Sequence, residues 1–239
     1  MKKIFTSFIF IMLLPVFLLS QNTSGVATYQ RIIKLDKKSN PKLRELGIEL
    51  PDELKSRAQL TFRDSISLYK NLPKEIDEVE NGNIRINFKA PEHIKYIDRK
   101  QKEYIEQNDI FGKYFLINSD YKTMEWDKKP EIKKIGDYYC QMAVLKDTSK
   151  QIVAWFTPQI PVNCGPEGYG DLPGLIVLLV YNNGKSTIAL EKIEFKEIDD
   201  IPKPEKGEKI SQEEFIKKRN EKRAMISKRF IIHDEDDDD

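Results

Sequence analysis

Only two imidazoles and two thiols are available to this chain for nucleophilic or metal chemistry: His93, His233, Cys140 and Cys164. A Ser–His–Asp or Cys–His arrangement needs an imidazole beside its nucleophile. His93 sits in APEHIKY, at a loop-to-strand edge, and His233 opens the acidic run HDEDDDD; both read as ordinary surface histidines. Cys140 and Cys164 are too far apart in the chain for a CxxC redox or zinc pair. The 39 carboxylates could pair in any number of ways, but distance along the chain does not report distance in space. A hydrolase made of carboxylates alone would need a cluster of them in a cleft with raised pKa values. HExxH, P-loop, GxGxxG and GxSxG patterns are absent. A bare acidic run is not the shaped loop that holds calcium, so residues 233–239 read as a solvated tail. The expectation is a non-enzyme without catalytic, metal or cofactor-binding residues.

The compartment is more legible. MKKIFTSFIFIMLLPVFLLS opens with two lysines, continues as an apolar run and ends at Ser20, the layout of a cleaved secretory signal. No cysteine lies near that point for lipid attachment, and no later run is long enough to span a membrane. The expected mature chain starts at about Gln21 and is soluble, periplasmic or extracellular. In an oxidising compartment an even cysteine count favours a Cys140–Cys164 disulfide, worth roughly 3.5 kcal/mol for a loop of about 25 residues. Residues 21–233 carry 38 basic and 33 acidic side chains, spread without a basic stripe, which argues against nucleic acid as a partner.

The elements that would position any site are short β segments. GVATYQRIIKL (25–35) is a first strand, and LTFRDSISLYKNL (60–72) alternates in both halves, as a hairpin or bent strand does. Between them, Leu43, Leu46, Leu50 and Leu54 predict one or two helical turns in 40–59, interrupted by Gly47 and Pro51. IRINFKA (84–90) has the period of a half-buried strand. Residues 137–146 and 151–157, separated by a DTSK turn, predict a hairpin. The regular strand–turn spacing argues an antiparallel meander in a mainly β (α+β) domain, a curved sheet or half-barrel with a few helices. That domain is expected over 21–200, with a proline-rich linker and charged helix over 201–232. SQEE (211–214) there fits a capping box.

CGPEGYGDLPGLIVLLVYNNGK (164–185) interrupts this pattern with glycines and prolines. Gly165, Pro166, Gly168 and Gly170 form a permissive loop, and Pro173 and Gly174 suit the centre of a type II turn. LIVLLVY (175–181) is uniformly apolar, as a strand covered on both sides would be. Asn183 and Gly184 predict a hairpin turn. The phase switch from Ile188 and Leu190 to Ile193 and Phe195 predicts a bulge near Glu191 or Lys192.

Residues 154–194 resemble the signature of the GLPGLI family of exported Bacteroidota proteins, with DLPGLI in place of the hexapeptide and Asp171 in place of its first glycine. Trp155, Pro161, Gly165, Pro166, Leu172, Pro173, Gly174, Leu175 and Ile176 fall on its motif positions. KKIGDYYCQMA, around Cys140, resembles its upstream strand. The resemblance implies an uncharacterised envelope protein from a phylum rich in TonB-dependent transporters. The strand order is also similar to the LolA-like half-barrel that shelters an acyl chain, a likeness of architecture alone. Two readings are expected: a binding module for an apolar or lipidic ligand, with a cavity lined by Trp155 and Tyr139, or an accessory protein of an outer-membrane assembly using the C-terminal helix or tail.

Overall fold

The computed structural model describes residues 23–36, 51–73, 78–81, 84–87, 92–110, 112–147, 149 and 151–232. The expected signal, the leucine-rich part of the helical turns up to residue 50, and the acidic tail lie outside these residues. Twelve strands form one sheet: β1 (Ser24–Lys34), β2 (Glu53–Arg63), β3 (Ile66–Asn71), β6 (His93–Asp98), β7 (Glu103–Ile110), β8 (Lys113–Asp120), β9 (Trp126–Ile135), β10 (Tyr138–Leu145), β11 (Ile152–Thr157), β12 (Leu175–Tyr181), β13 (Ser186–Phe195) and β14 (Glu208–Lys209). The order is β14-β8-β7-β6-β3-β2-β1-β13-β12-β11-β10-β9, and β4 (Glu78–Asn81) with β5 (Ile84–Asn87) form a separate hairpin. All pairs are antiparallel except the short β14–β8 contact. The predicted antiparallel, mainly β fold is what the chain forms.

The connections force this sheet to curl. β8 and β9 stand ten strand positions apart in its order, roughly 48 Å along a flat sheet at about 4.8 Å per strand. Only residues 121–125 join them, a link that can span roughly 22 Å at most. The two flanks must therefore approach each other. Bulges assist: Thr28 pairs with Lys192 but Tyr29 with Leu190, leaving Glu191 as the extra residue predicted from the phase switch.

Curling gives the sheet an inner face. Ala27 and Tyr29 of β1, Leu60 and Phe62 of β2, Tyr69 of β3, Ala154 and Phe156 of β11, Leu179 of β12 and Ile188 of β13 are all buried in one cluster. Among the described residues, what completes that cluster is a loop. Ile160, Val162, Cys164 and Leu172, from the loop between β11 and β12, pack into it. The loop is the second layer that a one-layer sheet needs to exclude water.

The outer face is covered only in part. Residues 198–206, expected as a linker from 201 on, cross it as a strap: Ile201 is buried with Tyr96, Ile105 and Leu116, and Ile198 packs against them. Arg63 Nη1 donates to the carbonyls of Ile198 and Asp199, and the strap ends in β14. The apolar side chains of Ile198 and Ile201 tie down a segment whose prolines and charges look like linker sequence. Helix α1 (Gln212–Ile232) follows, with the predicted capping box formed: Glu214 N donates to Ser211 Oγ at 3.2 Å and Ser211 N to Glu214 Oε2 at 2.9 Å. It docks on the inner side of β8 through Phe215, buried against Phe115 and Ile117, which pair with Asn108 and Glu106 on the Lys95 and Tyr69 side of the sheet.

Three further expectations change. Leu54 belongs to β2, not to a helical turn, because residues 53–63 pair along the whole of β1. In β12 the first three residues are buried, but Leu178 and Val180 on the outer side are only half-buried. The Cys140–Cys164 disulfide is not formed, and both residues are buried free thiols. The sheet separates them. Ala143 and Leu145 of β10 point into the inner cluster, so alternation puts Cys140 on the outer side, across from Lys133. Cys164 lies in the inner cluster itself. Burial raises the Cys140 thiol to about 11 and the Cys164 thiol to about 12, so neither is a reactive thiolate. Alkylation of the purified chain in denaturant without reductant should label two thiols per molecule. Labelling that appears only after reduction would contradict this arrangement.

Candidate functional site

The loop of residues 158–174 is built to reach across the inner face. Leu175 N donates to the Ile160 carbonyl at 2.9 Å and Ile176 N to that of Cys164 at 3.1 Å, fastening it to β12. Asp171 N donates to the Asn163 carbonyl at 3.0 Å, and Cys164 bridges Gly170, so the tip between them stands out as a closed lobe. Its end is a single 3-10 turn, Pro166–Gly168, with Glu167 at φ 58°. The type II turn expected at Pro173 and Gly174 is instead a tighter bend, in which Gly174 N donates to Leu172 at 2.8 Å. Gly174 has φ 152°, and a Cβ there would stand 2.0 Å from the Thr157 carbonyl oxygen, which explains its glycine.

Two carboxylates anchor the lobe. Glu167 accepts hydrogen bonds from Arg31 of β1, through Nη2, and from Lys95 of β6, whose Nζ is 2.8 Å from Oε2 and 3.2 Å from the Glu167 carbonyl. Its side chain is only 9% exposed. Asp171 accepts from Tyr121 Oη at 2.6 Å and from Met124 N at 2.8 Å, with Arg99 Nε at 3.5 Å. Trp126 Nε1 donates to the Gly170 carbonyl at 2.8 Å. Glu167 therefore ties the lobe to β1 and β6, while Asp171 ties it to the 121–125 link that pulls the flanks together.

Around Glu167 the groups form one network. Glu106 of β7 receives Tyr104 Oη at 2.7 Å and lies 2.7 Å from His93 Nε2. Tyr69, Tyr169 and Tyr181 lie close enough to Glu167 for its charge to act on each, and the Tyr169 and Tyr181 rings meet edge-on. Burial opposes ionisation of Glu167, but Lys95 and Arg31 outweigh it and bring the carboxyl down to about 2. Glu106 is brought to about 2 in the same way, against burial, by His93 and Lys95. Tyr169 is pushed up to about 12 by burial and by Glu167, and burial also raises Tyr69, Tyr104 and Tyr181. These carboxylates stay ionised and these phenols protonated near neutral pH, the reverse of the raised carboxylates a carboxylate-only hydrolase would need. Their arrangement clamps a loop. Tyr69 Oη and Arg31 Nε, both buried, have no protein partner, so spare hydrogen-bonding capacity remains at this spot. Among the described residues no group of three or more His, Cys, Asp or Glu could hold a metal ion.

The motif residues divide by role. Gly165, Pro166, Leu172, Gly174, Leu175 and Ile176 are buried in the lobe or at its junction with β12, and Pro161 and Pro173 are exposed on it. A Cβ on Gly165 would lie 2.6 Å from that of Ile176, so the two ends of the motif pack directly together. Trp155 lies on the outer face with Lys133 Nζ 3.9 Å over its ring. Tyr139 is 62% exposed and belongs to the opposite face by alternation, so the two cannot line one cavity, and the inner face is filled. His93, read as a surface residue, is half-buried against Glu106. Arg31, Lys95, Arg99 and Glu106 were not legible. Glu167 was within reach, because it and Asp171 are the only charged residues between 155 and 180.

Two shallow grooves open on the surface of the described residues. One, of about 310 Å³, lies on the outer face between the strap and β2, β3 and β6. The other, of about 260 Å³, lies between α1 and β8, beside Ile110, Phe115 and Met225.

Residues 145–178, which hold most of the lobe and its motif, match a family described as "Protein of unknown function (Porph_ging)". No curated protein matches the chain. Among solved structures, it is similar to PNGF-II in a P21 crystal form, at 20% identity and a TM-score of 0.54 over 82% of this chain. PNGF-II in a C2 form gives 17%, 0.53 and 81%. In both, the chain spans 32% of the other's length. This likeness concerns the fold.

Replacing Glu167 with Gln leaves Arg31 and Lys95 facing an uncharged group, and equilibrium denaturation should show a loss of about 3 kcal/mol, as for breaking a buried pair from one side. Both depressed carboxyls give stability that is complete above the ordinary value of 4.5 and is lost as the pH falls from there toward about 2. A wild-type acid limb in that window, flattened in Glu167→Gln, is the expected outcome of urea titrations at stepped pH. Identical limbs would refute it.

Proposed function

We propose that this chain is an exported, non-catalytic recognition module of GLPGLI type that binds through its exposed C-terminal helix, as an accessory to an envelope assembly. The observation that carries this reading is the filled inner face. The concave side, where a half-barrel carrier would shelter a guest, is occupied by the chain's own loop and clamped there by buried ion pairs. The DLPGLI hexapeptide at 171–176 lies inside the matched segment 145–178, which supports the family reading. The leader-like first twenty residues support export. No helix among the described residues is long and apolar enough to cross a membrane.

The surface offered to a partner is α1. It runs roughly 31 Å but is held to the sheet near its start, by Phe215, while Ile216 and Met225 (56% exposed) face outward. The alternative, a small apolar ligand, is supported by the groove beneath the strap, taken up below.

The fold also says where a test must cut. Removing everything from residue 203 would take away β14 and Phe215 and unfold part of the sheet's flank. Truncation after Lys222 leaves the cap, Phe215 and the strap intact. That truncated protein should melt within about 2 °C of the full chain, since Phe215, which anchors the helix to β8, is retained. In-cell cross-linking from the native envelope should lose a specific adduct seen with the full chain. An undiminished adduct would remove α1 from the proposal.

A further inference from the structure

The groove on the outer face has an apolar floor and wall and one uncommitted cation. Thr61 of β2, Leu68 of β3 and Ile94 of β6 form the floor, with Leu68 paired to both Thr61 and Tyr96, and Lys70 paired to Ile94. Residues 200–204 of the strap form the wall. Pro202 and Pro204 give that wall fixed φ and no N–H donors, so its backbone offers a guest little to hydrogen-bond. At about 310 Å³ the groove is at the small end of ligand sites, with room for one extended chain.

Its charged groups are unequal. Lys203 is committed, with Nζ 2.6 Å from Glu103 Oε2 and 5.7 Å from the centre of the Tyr96 ring. Asp200 acts on the same Tyr96 hydroxyl, so this end of the groove already carries negative charge. Lys70 is exposed, one strand row away from Tyr96, and has no ion-pair partner among the described residues. Lys70 lines the groove, and a lysine covers apolar surface with its stem while keeping its ammonium in water. Charge complementarity therefore sets both the class and the orientation of the guest.

We propose that this groove binds a free single-chain anionic amphiphile, its chain along Leu68 and Ile94 and its head at Lys70. This ligand is separate from the partner proposed for α1, and either reading can fail without the other.

The test is calorimetric titration of the full chain with dodecanoate, dodecanol and dodecyltrimethylammonium, each below its micelle concentration. Dodecanoate should bind at least tenfold more tightly than dodecanol, and the cation should give no heat. Decanoate, two methylenes shorter, should bind roughly fifteenfold more weakly, at about fourfold per buried methylene. Lys70→Glu should cost dodecanoate at least tenfold and leave dodecanol unchanged, and the near-isosteric Lys70→Gln serves if charge reversal disturbs folding. Equal binding of all three head groups, or unaltered dodecanoate binding in both Lys70 variants, would overturn the assignment. Co-flotation of the protein with phosphatidylglycerol vesicles, lost in Lys70→Glu, would also overturn it, in favour of a membrane surface.

Discussion

The architecture turns on placing the Glu167 carboxylate between Arg31 and Lys95. A single curled sheet has an apolar inner face that nothing in a β meander covers automatically, because hairpin connections stay at the strand ends. This chain covers it with a loop, and a loop carries polar backbone that is costly to bury without partners. The lobe solves part of that problem internally, through the Asn163–Asp171 and Cys164–Gly170 pairings, and the rest through charge. Glu167 binds the lobe to the middle strands, and Asp171 binds it to the link that draws β8 and β9 together. Curl and filling are thus one event: the sheet closes around the lobe, and the lobe holds the closure.

Burying two carboxylates is unfavourable unless each is met by cations and donors with good geometry. Here the partners are many: Arg31 and Lys95 donate to Glu167, and Tyr121 and Met124 N donate to Asp171, with the Arg99 guanidinium beside it. Such a network does less for net stability than for uniqueness. An apolar lobe could slide over an apolar sheet, whereas one carrying Glu167 at its tip has a single place to go. The tyrosines fit this role, presenting large apolar bodies to the core and hydroxyls to the charges.

Sequence reading reached the strands and their turns because alternation and turn chemistry are local. The bulge at Glu191 was legible from a change of phase between Leu190 and Ile193, and the helix cap from Ser211 and Glu214. It failed where a contact joins distant segments. Arg31 and Lys95 are single charges on otherwise unremarkable strands, and nothing nearby marks them as partners of Glu167, more than seventy positions away. The strap was misread because linker composition and packed extended chain look alike unless the isoleucines are weighed. The expected disulfide rested on counting cysteines, and a count carries no information about which face of a sheet each one occupies.

The same geometry bears on where the molecule can meet others. With the inner face around the lobe committed, the open surfaces are the outer face and α1, and the outer face is unevenly finished. The strap seals β6, β7 and β8, where Tyr96, Ile105 and Leu116 would otherwise be wet. Beyond its edge, Leu68 and Ile94 remain partly open, and across β10, β11 and β12 the cross-strand row Met142, Trp155 and Leu178 stays half-buried under little more than Lys133. A chain one-third charged could have placed polar residues at those outward positions, as half-exposed strands usually do. Apolar residues there, beside a strap of the chain's own, leave the convex side only partly covered, whereas the lobe turns the concave side of β1, β2, β11 and β12 into a core.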